Sequence, residues 1–201
     1  KNQFLKFISK PIINYLRWWD KVAANRPDKI IAISTVVKER IKKYYGRDSV
    51  IIYPPVALQL INPKPTIYSK EYFFIHGRFE PYKKLGLVVD TFNELELPLV
   101  VSGNGSEFKR LKRKANQNIK FVEKPIDEEL SELYSNAKAF LMPQEEDFGI
   151  TSVEAQSFGV PVIAYKKGGA LDTVIDGKTG VFFNKQTKES LKQAIAKFDT
   201  I

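Results

Sequence analysis

The stretch that decides the fold runs from Pro143 to Tyr165 and reads PQEEDFGITSVEAQSFGVPVIAY. One apolar run, Ala139 to Met142, leads into it, and a second, Val160 to Ala164, lies near its end. Short apolar runs of this kind are typical of parallel strands that are covered on both faces. Thr151 is predicted to cap a helix between the two strands, and Gly159 is predicted to end it. The stretch therefore predicts a strand, an acidic loop, a helix and a second strand.

Two glutamates flank the start of this predicted helix. Glu146 is predicted to lie in the acidic loop, and Glu154 in the first helical turn. Carboxylates accept hydrogen bonds from sugar hydroxyls, whereas the unpaired N–H groups of a helix N-terminus hold phosphate oxygens. The pair therefore suits a ligand that carries both hydroxyls and phosphates. The same spacing also fits a capping box, in which Glu154 serves only the helix and Glu146 is a solvated loop acid.

The rest of the chain alternates between strands and helices. Strands are predicted at Tyr72–His76, Leu99–Ser102, Ile119–Val122, Ala139–Met142, Val160–Ala164 and Gly180–Phe182. Between them lie helices with one apolar face, and one of these has Leu130, Leu133, Tyr134 and Ala137 on that face. This alternation predicts an α/β fold with a doubly wound, parallel, Rossmann-like sheet. A single βαβ unit between residues 29 and 53 precedes it and predicts a partial second α/β domain.

Proline residues mark the boundary between these two parts. Pro54 and Pro55 stiffen a turn, and the sequence NPKP at residues 62–65 is typical of a linker. We therefore predict a first domain over residues 1–55, a linker over 56–68 and a second domain over 69–201. The chain begins with Lys1, and its one methionine is Met142, so we expect it to be an excised piece of a longer protein.

The chain is basic, with a formal net charge of +9 and a pI of about 9.5. This excess favours nucleic acid, an anionic membrane surface or phosphorylated substrates as partners. A chain without cysteine can form neither disulfides nor thiolate metal sites. The basic helix at residues 109–114 lacks interleaved aromatic residues, which indicates a solvated face, so we expect no nucleic-acid partner.

Residues 1–26 are aromatic and basic, which fits either a segment lying on a membrane or a helix pair packed on another part of the protein.

Functional residues of a parallel sheet lie in the loops that follow its strands, because these loops share one edge. Gly77, Arg78 and Lys83 follow the first strand of the second domain. Glycine permits a close backbone approach, arginine can bind two phosphate oxygens at once, and lysine supplies a point charge. These residue types predict a phosphate-binding loop, and a solvated basic loop is the alternative.

The loop after the next strand, SGNGS at residues 102–106, begins like a dinucleotide-binding fingerprint. Glu123 stands about where the ribose-binding acid of that fingerprint would stand, but Phe108 occupies the place of the third glycine. An NAD-binding Rossmann domain is therefore a weak alternative. His76, the one histidine, is predicted to be structural rather than a base. The sequence shows no metal-ligand spacing, and no metal is expected, although the acidic residues 145–147 could hold a divalent ion.

Together these motifs resemble those of the retaining GT-B glycosyltransferases, specifically glycosyltransferase family 4 (group 1). The resemblance covers about residues 28 to 198 and rests on five short segments. They are GRFEPYK from Gly77, GNG from Gly103, EDFGI from Glu146 with Glu154 and Ala155, GVPVIA from Gly159, and Gly168 with Gly169. The chain is most similar to the branch that transfers mannose or related sugars during polysaccharide or lipopolysaccharide assembly.

The resemblance implies a hexosyl transfer with retention, from a nucleoside diphosphate sugar such as GDP-mannose to a glycan or lipid-linked acceptor, without cofactor or metal. Residues 69–201 would form the C-terminal donor-binding domain, and residues 1–55 the tail of an N-terminal acceptor domain that is mostly missing. This piece alone is therefore expected to be inactive, and a non-catalytic nucleotide-sugar-binding half-domain is the competing interpretation. The implied location is cytoplasmic, with peripheral contact at the inner face of a membrane as an open question.

The resemblance also implies roles for individual residues. Arg78 and Lys83 would hold the donor diphosphate and Glu146 would contact the sugar, which makes these three the predicted catalytic residues. Glu154 would contact the ribose, and the base would lie near residues 122–125. The predicted donor-binding residues are completed by Gly77, Gly103, Gly105, Val122, Phe148, Gly149, Ile150 and Thr151. Glu123 stands where the family usually has glycine, and this departure concerns the base contact. Asp172 stands after the Gly-Gly pair, where the family usually has glutamate.

Overall fold

The computed structural model describes residues 3–56 and 71–200, with the backbone alone for residues 3–7. The chain divides into two compact units, Lys1–Tyr53 and Pro54–Ile201. The linker predicted over residues 56–68 lies, after Val56, outside the described residues.

The first unit is a small βαβ unit preceded by a long helix. Its elements are α1 (Gln3–Ala23), β1 (Ile31–Ala32), α2 (Thr35–Tyr45) and β2 (Val50–Ile51), and the two strands pair in parallel. The Ser34 side chain caps α2 by accepting a hydrogen bond from the Val37 N–H. The predicted helix pair over residues 1–26 was wrong, because a single helix runs through Pro11.

The second unit is an α/β domain built on one parallel sheet. Its elements are β3 (Tyr72–Arg78), α3 (Leu85–Leu95), β4 (Leu99–Asn104), α4 (Phe108–Lys114), β5 (Ile119–Val122), α5 (Asp127–Ser135), β6 (Ala137–Met142), α6 (Ile150–Ser157), β7 (Val162–Tyr165), α7 (Ala170–Thr173), β8 (Gly180–Phe183) and α8 (Lys188–Phe198). The six strands are ordered β5-β4-β3-β6-β7-β8. The order reverses between β3 and β6, where ligands of open α/β sheets bind. The predicted α/β fold with a parallel sheet is confirmed.

Apolar side chains cover both faces of this sheet. Phe73 packs in one cluster with residues of α3 and α8. Its neighbour Phe74 points to the opposite face and packs in a second cluster with Tyr134 and Ala155. Successive side chains of a strand alternate between faces, so two clusters require helices on both sides. The doubly wound arrangement follows from this pattern.

The ends of several elements differ from the prediction. Strands β3 and β4 each run two residues further than predicted, to Arg78 and Asn104, because they continue to pair with each other. Ala137, predicted as the last apolar position of α5, is instead the first residue of β6. Sequence periodicity alone does not show which residues pair with a neighbouring strand, so it does not fix where these elements end.

The start of α6 also differs. The prediction of Thr151 as the cap was wrong, because the helix begins at Ile150 and Gly149 is its N-cap, with φ of +86°. Glycine adopts this left-handed conformation without steric cost, so the turn forms at residue 149. The capping box is also wrong, since Glu154 instead accepts a hydrogen bond from the Tyr134 hydroxyl. Gly159, with φ of +71°, follows the helix as predicted.

Candidate active site

The carboxyl ends of the central strands bring several predicted residues to one edge of the sheet. Gly77 lies opposite Gly103 in the pairing of β3 with β4, and Arg78 lies opposite Asn104. On the next strand, Val122 lies opposite Ser102. Because all these strands are parallel, their following loops share this edge.

Gly103 and Gly105 let two of these loops pack backbone against backbone. A Cβ atom on Gly103 would lie 1.9 Å from the carbonyl oxygen of Gly77, and one on Gly105 would lie 2.7 Å from the Phe79 nitrogen. The Phe79 N–H donates to the Asn104 carbonyl at 2.7 Å. These glycines therefore have a packing role, and their contact with a donor stays a prediction.

The same geometry weakens the dinucleotide alternative. Gly103 lies within β4 rather than in a turn that opens a helix. Phe108, in the place of the third glycine, is buried and packs edge-on against Phe79 and Phe121, with ring centroids 5.2 and 5.7 Å apart. A large side chain fills the space that the fingerprint keeps clear for close packing of helix and strand.

An ion pair joins two of the three predicted catalytic residues. The Lys83 Nζ donates to Oε1 of Glu146, and the two side chains are 19% and 22% exposed. Gln144 also donates to this oxygen, with its Nε2 at 3.1 Å. The ion pair connects the turn after β3 with the loop after β6, across the point where the strand order reverses.

Tyr82 brings the third predicted catalytic residue to this pair. A guanidinium nitrogen of Arg78 donates to the Tyr82 hydroxyl at 3.3 Å. The Lys83 ammonium lies over the same ring, 5.3 Å from its centroid. Tyr82 is 51% exposed, and it contacts one cation through its hydroxyl and the other through its ring. The electron-rich face of the ring favours the Lys83 ammonium, and the hydroxyl accepts from Arg78, so Tyr82 contacts both charges.

Backbone contacts hold the acidic loop in place. Glu146 forms a parallel bridge with Gly168, and the Gly169 N–H donates to the Glu146 carbonyl at 2.8 Å. A Cβ atom on Gly168 would lie 2.3 Å from that carbonyl oxygen. Gly168 therefore allows the loop after β7 to pack directly against the loop that carries Glu146.

The Gly149 turn presents the start of α6 beside this loop. The N–H groups of Ile150 and Thr151 open the helix, where amides have no acceptor within the helix. The side chain of Ile150 is exposed, whereas Phe148 is buried in the core. If Phe148 contacts a donor as predicted, its backbone makes the contact.

Glu154 lies further along α6, and its carboxylate accepts a hydrogen bond from a buried tyrosine. The Tyr134 hydroxyl donates to its Oε2 at 3.0 Å. Burial raises the pKa of the Tyr134 hydroxyl, and the adjacent Glu154 carboxylate raises it further, so this group stays a proton donor. The predicted carboxylate thus accepts a hydrogen bond from a residue that was predicted only as an apolar helix position.

His76 lies on β3 beside the same tyrosine. Its Nδ1 is 3.2 Å from the Ser102 Oγ, and its ring centroid is 6.3 Å from that of Tyr134. Burial lowers the pKa of the imidazole, because the charged form loses its hydration. A half-buried, neutral histidine in a strand fits the structural role predicted for it.

The described part of the chain contains neither a candidate metal cluster nor a helix that could cross a membrane. Across residues 3–56 and 71–200, no group of three or more acidic, histidine or cysteine residues could hold a metal ion. The helices of those same ranges are all too short or too polar to cross a membrane.

The structure thus brings the predicted residues together to different degrees. Lys83 and Glu146 are in direct contact, and Arg78 joins them through Tyr82. Glu154 lies on α6, four residues after its start, and Val122 lies at the end of β5, opposite Ser102. No site role was predicted from the sequence for Tyr82, Gln144 or Tyr134. A tyrosine on an otherwise apolar helix face was the available signal for Tyr134, since a buried hydroxyl needs a partner.

Comparison with known proteins identifies the family of this chain. The model of the family described as glycosyl transferases group 1 matches residues 59–199. An uncharacterized glycosyltransferase of Methanocaldococcus jannaschii is 27% identical over 187 residues, which are 89% of this chain and 52% of that protein. The alpha-1,3/1,6-mannosyltransferase ALG2 of Dictyostelium discoideum is 31% identical over 163 residues, 67% of this chain and 39% of that protein.

Solved structures show the same fold. The crystal structure of Anabaena HepE in complex with UDP superposes with a TM-score of 0.78 at 22% identity, over 89% of this chain and 56% of that one. The parallel six-stranded domain therefore matches the GT-B glycosyltransferase structures. The chain spans about half of the length of these relatives, or less. With a family model that matches most of its residues, the chain belongs to the glycosyl transferases group 1 family.

Proposed function

We propose that this chain binds the donor of a glycosyltransferase that moves a sugar from a nucleoside diphosphate sugar to an acceptor hydroxyl with retention. The observation that carries the proposal is the Lys83–Glu146 ion pair at the reversal point of the sheet, beside Arg78 and the start of α6. Cations and bare amides suit a diphosphate, and carboxylates suit sugar hydroxyls.

The proposed chemistry follows from the charge that develops on the leaving group. When the bond between the sugar and the diphosphate breaks, negative charge grows on the diphosphate oxygens. Arg78 and Lys83, with the amides of Gly149 to Thr151, would stabilise this charge, and fixed dipoles and cations do so without reorganisation. Glu146 would position the sugar rather than form a covalent intermediate. No resident metal or cofactor enters the proposal.

We propose a mannose-like sugar and GDP-mannose as the donor, in the assembly of a polysaccharide, lipopolysaccharide or glycolipid. The similarity to a Dictyostelium mannosyltransferase supports the sugar, and the HepE complex with UDP supports a nucleoside diphosphate as the ligand class. Under this proposal the second unit is the donor domain and the first unit belongs to the acceptor domain. The acceptor would be a glycan or lipid-linked hydroxyl on the cytoplasmic side.

The test is calorimetry of the 201-residue chain with GDP-mannose, UDP-glucose and NAD. Binding of a nucleoside diphosphate sugar that Lys83→Ala weakens would support the proposal, and Lys114→Ala, which removes a surface cation paired with Asp90, serves as the control. Binding of NAD alone would favour the alternative of an NAD-binding Rossmann domain. Retention is tested separately, by the anomeric configuration of the product formed by the whole protein.

Helix α1 supports a second proposal, that the protein also touches an anionic membrane. Its apolar side chains from Ile8 to Val22 are exposed, and they include Trp18 and Trp19 beside Arg17 and Lys21. Such a helix can lie in a membrane interface. Vesicles with and without anionic lipid would test this contact: co-sedimentation that survives deletion of residues 1–26 would contradict it.

A further inference from the structure

A hydrogen bond between two helices fixes one oxygen of the Glu154 carboxylate. The hydroxyl of Tyr134, on α5, donates to Oε2 of Glu154, on α6, at 3.0 Å. Tyr134 is only 2% exposed, so its hydroxyl approaches the carboxylate from the core. The ionised carboxylate has no proton to give, so the tyrosine is the donor in this bond.

Aromatic neighbours hold the Tyr134 ring in one orientation. Phe158 stacks on it, with centroids 5.3 Å apart and an interplanar angle of 10°. Phe74 meets it edge-on at 5.1 Å, and Phe140 lies 5.8 Å away at a tilt. A ring packed from several sides cannot swing its hydroxyl elsewhere without opening the core. The position of the Tyr134 hydroxyl is therefore determined by packing of its ring rather than by Glu154.

The second oxygen of Glu154 stays available. Within the described residues, Oε1 accepts no hydrogen bond and the carboxylate has no cationic partner. Glu154 is half-buried, so part of its side chain faces solvent. Each carboxylate oxygen can accept about two hydrogen bonds. With Oε2 held from the core side, Oε1 is the oxygen that can accept from a ligand.

We propose that Tyr134 is a positioning residue, whose hydroxyl orients the Glu154 carboxylate so that Oε1 accepts hydrogen bonds from the vicinal hydroxyls of the donor ribose. The inference rests on the proposed function, which supplies the ribose. A purely structural tyrosine would give a different result, because its loss would lower stability without changing the preference of the site for ribose over a sugar that lacks the hydroxyls.

The experiment compares ribonucleotides with analogues that lack both ribose hydroxyls. The affinities of the whole protein for GDP, UDP and their 2′,3′-dideoxy analogues are measured by calorimetry. We expect the wild-type protein to prefer the ribose form by about tenfold, the equivalent of one charge-assisted hydrogen bond. Tyr134→Phe should bring this ratio close to one, and the affinity for the dideoxy analogue should not change.

A second tyrosine provides the matched control. The hydroxyl of Tyr72 donates to the carbonyl of Leu133 at 3.0 Å and is not bonded to Glu154. Tyr72→Phe should therefore lower the unfolding temperature and leave the ribose ratio intact. Replacing Tyr134 by 4-aminophenylalanine, which restores an N–H donor at the same place, should recover the ratio.

The outcomes separate this inference from the proposed function. A wild-type preference for ribose that persists in Tyr134→Phe would overturn the positioning role and leave donor binding untouched. A wild-type protein that binds no nucleotide, or that binds the ribose and dideoxy forms equally well, would contradict the proposed function itself. If circular dichroism shows that Tyr134→Phe is unfolded, 4-aminophenylalanine is compared with 4-cyanophenylalanine, whose para group accepts but cannot donate, and an equal ribose ratio in the two overturns the role.

Discussion

The Lys83 ammonium and the Glu146 carboxylate, 63 residues apart in the chain, form an ion pair at the edge of the sheet. Lys83 ends the short 3-10 turn Pro81–Lys83 after β3, and Glu146 lies in the loop after β6. These strands are neighbours in the sheet although two other strands separate them in sequence. The pair therefore exists only because the strand order reverses at this point.

Removing the cation of this pair should slow sugar transfer. We expect Lys83→Ala to raise the barrier by about 2–4 kcal/mol, by analogy with the loss of one oxyanion donor. Steady-state kinetics of the whole protein measures this change. Lys114→Ala removes the same charge from an ion pair with Asp90 on α3 and should leave turnover unchanged. Equal rates in the two variants would contradict the role of Lys83.

Truncating Tyr82 should weaken donor binding moderately. Its ring contacts the Lys83 ammonium and its hydroxyl accepts from Arg78. An exposed cation–π contact contributes roughly 0.5–1 kcal/mol, so we expect Tyr82→Ala to lower donor affinity about two- to fivefold. Tyr82→Phe keeps the ring and should lose less. Calorimetry with the nucleoside diphosphate sugar measures both, and an equal loss in both variants would assign the whole effect to the hydroxyl.

A side chain at Gly103 should destabilise the domain severely. Its Cβ would lie 1.9 Å from the Gly77 carbonyl oxygen, where φ is already +125°. Backbone atoms cannot move aside as a flexible side chain can, so we expect Gly103→Ala to cost about 3 kcal/mol or more. Denaturant unfolding measures the loss. Gly177→Ala, at φ of +73° with no atom within 4 Å, isolates the backbone strain and should cost about 1–2 kcal/mol.

Stability should fall as the pH drops through the ordinary pKa of histidine. Burial lowers the pKa of His76 below 6.5 in the folded protein, so the unfolded chain binds more protons there. The free energy of unfolding therefore rises with pH up to about 6.5, and this contribution is lost as the pH falls below it. Thermal unfolding between about pH 5.5 and 7.5 measures this slope. The chain has one histidine and no cysteine, so no second side chain of either type adds its titration to the slope in this range.

The variant His76→Gln supplies the control for this pH dependence. It keeps a polar group beside Ser102 but cannot titrate in this range. Its unfolding temperature should be flatter with pH than that of the wild-type protein. An unchanged slope would show that another group carries the dependence.

Most of the elements of the second unit could be predicted because their signals are local. The apolar runs at Leu99 and Ile119 and the helical spacing of Leu85, Val88 and Phe92 depend only on neighbouring residues. Gly159 ends α6 as predicted for the same reason, since a left-handed turn is a property of one residue. Errors lie at the ends of elements, as at Gly149 and Ala137, where a cap or a strand partner decides the boundary.

The sequence by itself determined the alternation of strands and helices, the glycines that permit tight turns, and the residue types that suit phosphates and sugars. Only the tertiary structure decided which of those residues meet. The Lys83–Glu146 and Tyr134–Glu154 contacts join residues 63 and 20 positions apart. Such contacts depend on the order of the strands and on the packing of side chains between helices, and neither is encoded in the spacing of residues along one segment.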